Sequence, residues 1–197
     1  SWQRLNDAIW LIPAAWGFDL IHNSPSLSDA DRAAIRDRFI IPCAKGILRS
    51  EGILAAATNW SVIATAAVMT AGRVPDGAVR YDMPKTGIAR GRGRAGGVFW
   101  HIDNAISNDG LWVEGAIGYQ FMAMRGLLVM AEILWRDGVD VYGYNNARLK
   151  AVFDSPIWYS YPGGRDAPAI GDTGGASLFG RDAHLYQYAF RRYGDKA

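Results

Sequence analysis

Three groups of residues in this chain carry side chains that can move protons or hold an anion. The first is Asn59-Trp60, an amide beside an indole within the apolar run 53–71. A buried amide needs partners, so Asn59 either closes a hydrogen bond inside a helix bundle or donates to a bound carboxylate. The second is Asn108-Asp109-Gly110-Leu111-Trp112-Val113-Glu114-Gly115-Ala116-Ile117-Gly118-Tyr119-Gln120. Asp109 reads as the cap of a following helix with Gly110 in the turn, which sets Glu114, Gly118 and Tyr119 near one face. Small residues at 115, 116 and 118 leave space beside Tyr119, whose phenol then faces a cleft or packs in the core. The third is Arg90 with Arg92 and Arg94 in Gly91-Arg92-Gly93-Arg94-Ala95-Gly96. This is either a solvated basic loop or a set of guanidinium forks for carboxylate or sulfate.

The same glycine-rich loop fits the dinucleotide fingerprint, and Glu114 even falls at a plausible later distance. The fingerprint needs a hydrophobic strand in front of it. Residues 81–87, with Pro84 and Gly87, form none, so no cofactor is expected. Three scattered histidines and one cysteine have no metal-ligand spacing. Cys43 lies in an apolar run without a charged activator and reads as an inert buried thiol. His101, in Phe99-Trp100-His101-Ile102, reads as a structural group or as a base near Tyr119; His22 and His184 read as helix-end or surface residues. Asp109 and Glu114 do not suit a glycosidase pair, because positions five apart on a helix diverge.

The net charge of +2 is too small to imply a nucleic-acid partner, and half the residues are hydrophobic, as in an ordinary globular domain. Eight Trp and nine Tyr suit flat carbohydrate sites as well as cores. Apolar stretches are broken by Asn, Gly or charge before the ~20 residues a membrane span needs, and no signal peptide is evident at the start. The opening Ser1-Trp2-Gln3 is already amphipathic and reads as a start in mid-protein.

These side chains must be positioned by helices. Apolar residues at steps of three and four predict a helix over 2–22, kinked or divided at Pro13. Ser28 with Asp29 and Asp31 starts a second one that runs towards Ser50, with a kink at Pro42. Residues 53–71 predict a central helix that is apolar all round and ends at Gly72. A loop over 76–97 precedes helices over 98–107, 113–136 and 145–153. Gly138 stops the long one, and Asp154-Ser155-Pro156 closes the short one. Residues 157–177 read as irregular and 178–193 as a last helix. Strand signals are scarce, so the expected class is all-α, a single domain over 1–197 built of antiparallel helix pairs.

The order Asp109-Gly110, Glu114-Gly115, Gly118-Tyr119 resembles the signature of heparinase II/III-like and related alginate lyases, in which an acidic-glycine turn leads to a Glu and then a catalytic Tyr. Asn59-Trp60 resembles the family's Asn-containing helix, and residues 5–20 its early toroid helix. Residues 138–156, Ala169-Ile170-Gly171-Asp172 and the closing Tyr188 and Tyr193 extend the likeness over nearly the whole chain. The resemblance implies an incomplete (α/α) toroid, with the family's C-terminal β-sandwich absent from this chain. It implies β-elimination on a uronic-acid polysaccharide by a periplasmic or secreted bacterial enzyme. Asn59 then matches the residue that meets the substrate carboxylate, and Tyr119 the general acid, or both base and acid. Tyrosine's reference pKa of about 10 requires nearby positive charge for the second role. Trp60, Glu114, Trp112, Arg92 and Arg94 become candidate sugar-binding residues. Several relatives place His where this chain has Trp60, and others take a His from the β domain, which leaves His101 as a substitute base. A glycoside hydrolase on a similar toroid and a non-catalytic carbohydrate-binding domain are the rival readings. No nucleic-acid or membrane partner is expected, and no metal.

Overall fold

A computed structural model of the chain describes residues 2–75, 97–171 and 176–194. The loop bearing Arg90, Arg92 and Arg94, and Asp172, lie outside the described residues. Within them the architecture is all-α, with one isolated antiparallel bridge, Ile106 to Trp112. The helices are α1 (Trp2–Ile21), α2 (Asp29–Ile35), α3 (Ile41–Leu48), α4 (Glu51–Leu54), α5 (Asn59–Ala71), α6 (Val98–Asn104), α7 (Ile117–Arg136), α8 (Tyr144–Tyr159) and α9 (His184–Tyr193).

The first antiparallel pair sets α1 against α2 and α3. Trp10 meets Phe39 edge-on at 4.5 Å between ring centres, and the Cys43 thiol lies 4.0 Å from the Asp7 carbonyl. Leu5, Ala8, Leu11, Ile12, Ala15 and Phe18 form the buried stripe of α1. Pro13 does not divide this helix, which runs unbroken through it. The proline sits on the exposed side, where the carbonyl it leaves without an amide partner can meet water. Ser28 caps α2 as its sequence predicts, in a reciprocal capping box with Asp31. Between α2 and α3 the chain takes one π-helical stretch, Arg36–Ile40, and the Ile41 amide reaches back to the Arg36 carbonyl. Pro42 follows in the first turn of α3, so the expected kink is replaced by this wider turn.

α5 is the centre of the molecule: every residue from Asn59 to Ala71 is buried except Trp60. It runs parallel to α7. Val62 in the first turn of α5 meets Gly126 at the middle of α7, and the Arg73 guanidinium reaches the Ile133 carbonyl at 3.2 Å near their ends. A Cβ on Gly126 would stand 2.6 Å from Val62 Cγ1 and 3.1 Å from its backbone, so the missing side chain is what lets the two helices approach. α8 returns antiparallel to α7, with Gln120 touching the Val152 carbonyl. The structure thus has antiparallel pairs with parallel inner neighbours, as the toroid requires. α7 has the length and composition of a membrane span, unlike the sequence expectation, but 67% of that stretch is buried inside the fold. Its composition is accounted for by packing against α5, α8 and α9.

Helix boundaries depart from expectation in four places. The apolar run 53–71 breaks after Leu54, and α5 begins only at Asn59, with Thr58 as its extended N-cap. α7 begins at 117, not 113. α8 continues past Pro156 to Tyr159, beginning with a left-handed turn at Asn145, Asn146 and Ala147. The last helix is shorter than 178–193, because residues 177–183 form turns tied by Gly180 and Ala183 amide bonds.

α9 is clamped to α7 by two ion pairs. Arg125 holds the Asp182 carboxylate through two nitrogens, and Arg192 holds Glu132 at 2.5 and 2.7 Å while its guanidinium lies 4.7 Å above the Trp135 ring. The Arg192 hydrogen bond, against a smaller opposing cost of burial, holds the Glu132 carboxyl below its ordinary value. A depressed carboxyl stabilises the fold above its unfolded pKa of about 4.3, and that stability is lost as pH falls through the folded value. Glu132→Gln is therefore expected to flatten the acid limb of an unfolding curve measured below about pH 4.5. Arg192→Ala, which leaves the half-enclosed carboxylate with the Tyr142 hydroxyl but without its ion-pair partner, is expected to cost roughly 2–3 kcal/mol in urea unfolding.

Candidate active site

The segment between α6 and α7 is a tight hairpin. The Ser107 amide donates to the Leu111 carbonyl and the Val113 amide to the Ala105 carbonyl, both at 2.9 Å. Gly110 sits at its tip with φ +84°, and a Cβ there would fall 1.9 Å from the Ala151 carbonyl oxygen of α8. Buried Gln120 locks the hairpin down. Its Oε1 accepts from the Trp112 amide at 3.3 Å, and its Nε2 lies 3.2 Å from the Gly110 carbonyl and 2.6 Å from the Ser155 hydroxyl. Ser155 in turn donates to the Gly110 carbonyl at 3.0 Å.

This geometry corrects the expected arrangement of the motif. Asp109 does not cap α7. Its carboxylate accepts from the Ser107 hydroxyl and from the Tyr159 hydroxyl, at 2.9 Å for the latter. Those two bonds, Ser107 first, lower the Asp109 pKa. Glu114 is not on the helix either. It precedes a left-handed turn at Gly115, φ +73°, and the shared face with Gly118 and Tyr119 does not form.

Instead Glu114 bridges two elements. One carboxylate oxygen, Oε2, accepts from the Asn59 backbone amide at 2.5 Å and from the Trp112 indole Nε1–H at 2.7 Å. The Asn59 amide is free for this bond because the residue stands in the first turn of α5, where helix amides have no internal partner. The Ser61 amide donates to the Thr58 side chain at 3.3 Å, so the helix start is capped from two directions. A carboxylate at a helix N-terminus is also electrostatically favoured. Beside it opens a hollow of about 250 Å³ lined by Gly52, Ile53, Ala56, Thr58, Trp60 and Glu114. Asn59 is 1% exposed, and among the described residues neither its Nδ2 nor its Oδ1 has a hydrogen-bond partner.

The hairpin and the break before α5 thus bring Asn59, Trp112 and Glu114 together, with Trp60 and Glu114 on the walls of one hollow. Tyr119 is half-buried in the first turn of α7 and packs against the core. Because α5 and α7 run side by side in the same direction, Asn59 and Tyr119 share one end of the bundle. Trp112, 1% exposed, presents no ring face to solvent, and its contribution is the indole N–H. Thr58, Gln120 and Ser155 are the residues that sequence reasoning left without a role. Thr58 carried a usable signal, since Thr directly before a polar residue is a cap candidate.

His101 is wholly buried, 5.6 Å from the Trp112 ring, with Nε2 3.3 Å from the Ser61 hydroxyl. Ser61 donates to the Leu54 carbonyl at 3.0 Å, so His101 supplies the proton to Ser61 and Nδ1 is left as a buried acceptor without a partner. Desolvation lowers its pKa to about 4. A histidine held neutral in this way stabilises the fold above its unfolded pKa of about 6.5, and the contribution is lost as pH falls from there to about 4. In an NMR titration the His101 ring signals are expected to change with a midpoint near pH 4, and His101→Leu is expected to remove part of the acid destabilisation in that window.

A family model described as alginate lyase matches residues 4–161, which contain the hollow, the hairpin and both helices that carry Asn59 and Tyr119. The chain belongs to the alginate lyase family. It is also similar to an exo-oligoalginate lyase of Saccharophagus degradans (strain 2-40), with 29% identity over 166 residues, covering 82% of this chain and 22% of that protein. This alginate lyase family chain therefore spans about a fifth of the length of the curated relative it matches. The match ends at residue 161, so the clamp joins Arg125 and Glu132 inside the matched residues to Asp182 and Arg192 beyond them.

Proposed function

We propose that this chain is the helical part of a polysaccharide lyase that cleaves uronic-acid-containing polysaccharide by β-elimination, with oligoalginate as the substrate class suggested by its relative's name. The observation that carries the reading is the buried amide of Asn59, unpartnered on both its atoms, between two residues that line the hollow. An unsatisfied buried amide is costly and asks for a partner. A substrate carboxylate at the mouth of the hollow supplies one, once the amide turns towards it.

In the reaction the C5–H bond breaks and its electron pair forms the C4–C5 double bond. The C4–O bond breaks, and the departing oxygen takes up a proton. The carbon acid is weak, so charge developing on the carboxylate must be met by a donor that is already in place. Asn59 Nδ2 fills that role once the amide has turned to the bound carboxylate, and Glu114 fixes the backbone from which it turns. Tyr119 takes the C5 proton as base and returns it to the leaving oxygen as acid. Trp60 offers its half-exposed ring to a sugar face. Arg92 and Arg94 attract the anionic polymer. His101, enclosed and neutral, acts through Ser61 and Trp112 as a support. Trp112 supports Glu114. The protein works in the periplasm or outside the cell, where such polymers occur.

The reading is tested by incubating the full-length protein with a panel of acidic polysaccharides and oligosaccharides. The expected product has a new ultraviolet-absorbing unsaturated sugar end. Saturated reducing ends alone would indicate a hydrolase, and polymer binding without turnover would indicate a binding domain.

A further inference from the structure

We infer that Glu114 determines which edge of the sugar enters the hollow: it admits the hydroxyl edge of a ring and turns the carboxylate edge outward. This rests on the lyase reading for the identity of the sugar, but its physical basis is local. The hollow holds about 250 Å³, the size class of a single sugar ring. Gly52, Ile53, Ala56 and Trp60 give it largely apolar walls, and among the described residues no cation lines it. Glu114 is its one charged wall residue among them. A carboxylate only accepts hydrogen bonds. Oε2 already receives the Asn59 and Trp112 N–H groups, which leaves the carboxylate's remaining capacity for donors from the hollow. Sugar hydroxyls are such donors. A second carboxylate there would bring like charge against like between apolar walls, where screening is weak. A uronate ring has one edge of each kind, so the wall residue sorts the two. The carboxylate is left at the mouth, away from the Glu114 wall.

The test reads binding, so it does not depend on turnover. Full-length protein carrying Tyr119→Phe in every arm is titrated calorimetrically with an alginate trisaccharide. A second titration uses the same trisaccharide with its carboxyls reduced to primary alcohols. Glu114→Gln keeps a carbonyl oxygen for the Asn59 and Trp112 N–H groups while removing the charge. It is expected to raise the affinity for the charged probe, relative to the reduced one, by about tenfold. Thr58→Asp adds a charge to the same wall and keeps a good helix cap; it is expected to move the ratio the other way. Trp60→Ala is expected to weaken both probes alike. A ratio that stays within about twofold of its starting value in both charge variants overturns the assignment, as does failure of both probes to bind. Absence of unsaturated product from the protein with Tyr119 intact, together with a charge-dependent binding ratio, would sink the lyase reading and leave this one standing.

Discussion

Tyr119→Phe is expected to lower the rate of unsaturated-product formation by about 10²- to 10⁴-fold, the usual range for removing a positioned acid or base. The substitution deletes one hydroxyl from a half-buried residue in the first turn of α7 and leaves the ring in its packing against the core. KM is therefore expected to change little while kcat falls, the pattern of an interaction made in the transition state. Steady-state kinetics with an oligoalginate separates the two quantities. A variant with full kcat would remove Tyr119 from proton transfer. Asn59→Ala, by contrast, is expected to lower kcat and also to relax the buried, unpartnered amide, so its stability is expected to hold or rise while activity falls.

The largest stability effect is expected from Gly110→Ala. The new Cβ would meet the Ala151 carbonyl oxygen at 1.9 Å, and the residue would be held at φ +84°, where side chains are strained. Neither Ala151, inside α8, nor the hairpin, bonded through Gln120 and Ser155, can move without breaking other contacts. A loss of about 4 kcal/mol or more is expected, which for a domain of this size lowers Tm by roughly 10 °C or more. Because the same hairpin holds Glu114 against α5, activity is expected to fall below what unfolding alone explains. Gly17→Ala is the control. A Cβ there has nothing within 4 Å, and alanine on a helix gains up to about 1 kcal/mol over glycine. Thermal unfolding of the two variants checks the contrast.

The helical class, the central place of α5 and the capping of α2 are legible in the sequence because each follows from local spacing: an all-apolar stretch, a Ser with Asp three residues on. The places that are not legible are those where tertiary contacts outvote local preference. Ala55-Ala56-Ala57 favours helix continuation, yet the chain breaks there, and a Glu114 side chain 55 positions away caps the new start. Nothing near Asn59 in sequence announces that partner. The start of α7 reads too early for the same reason. Residues 113–116 carry helical spacing, but Trp112 is pinned by Gln120 and the chain must turn at Gly115 before the helix can begin. The turn residue Asp109 likewise has a cap's identity and a different partner, Tyr159 on α8. Of the site, the residue types Asn59, Glu114 and Tyr119 are visible from the resemblance. The meeting of Glu114 with Asn59 is not, since it depends on a helix break and a hairpin fixed by long-range bonds.

The exposed apolar residues are concentrated at the two ends of the described chain. On α1 they are Ile9, Trp10, Trp16, Leu20 and Ile21, and on the C-terminal side Trp158, Phe179 and Phe190. The core itself is well filled, from Leu11 and Ile47 through Met69 to Leu134 and Phe153. Burial of this kind, not the surface ion pairs of α1 and α2, supplies most of the driving force for the fold.

Elimination and hydrolysis differ by one molecule of water. With an oligoalginate turned over by the full-length protein, mass spectrometry is expected to find one fragment lighter by the water that hydrolysis would have added, and that fragment is expected to carry the ultraviolet-absorbing double bond. Fragments that both carry the added water, with no unsaturated end, would contradict the roles of Asn59 as carboxylate donor and Tyr119 as proton carrier in an elimination.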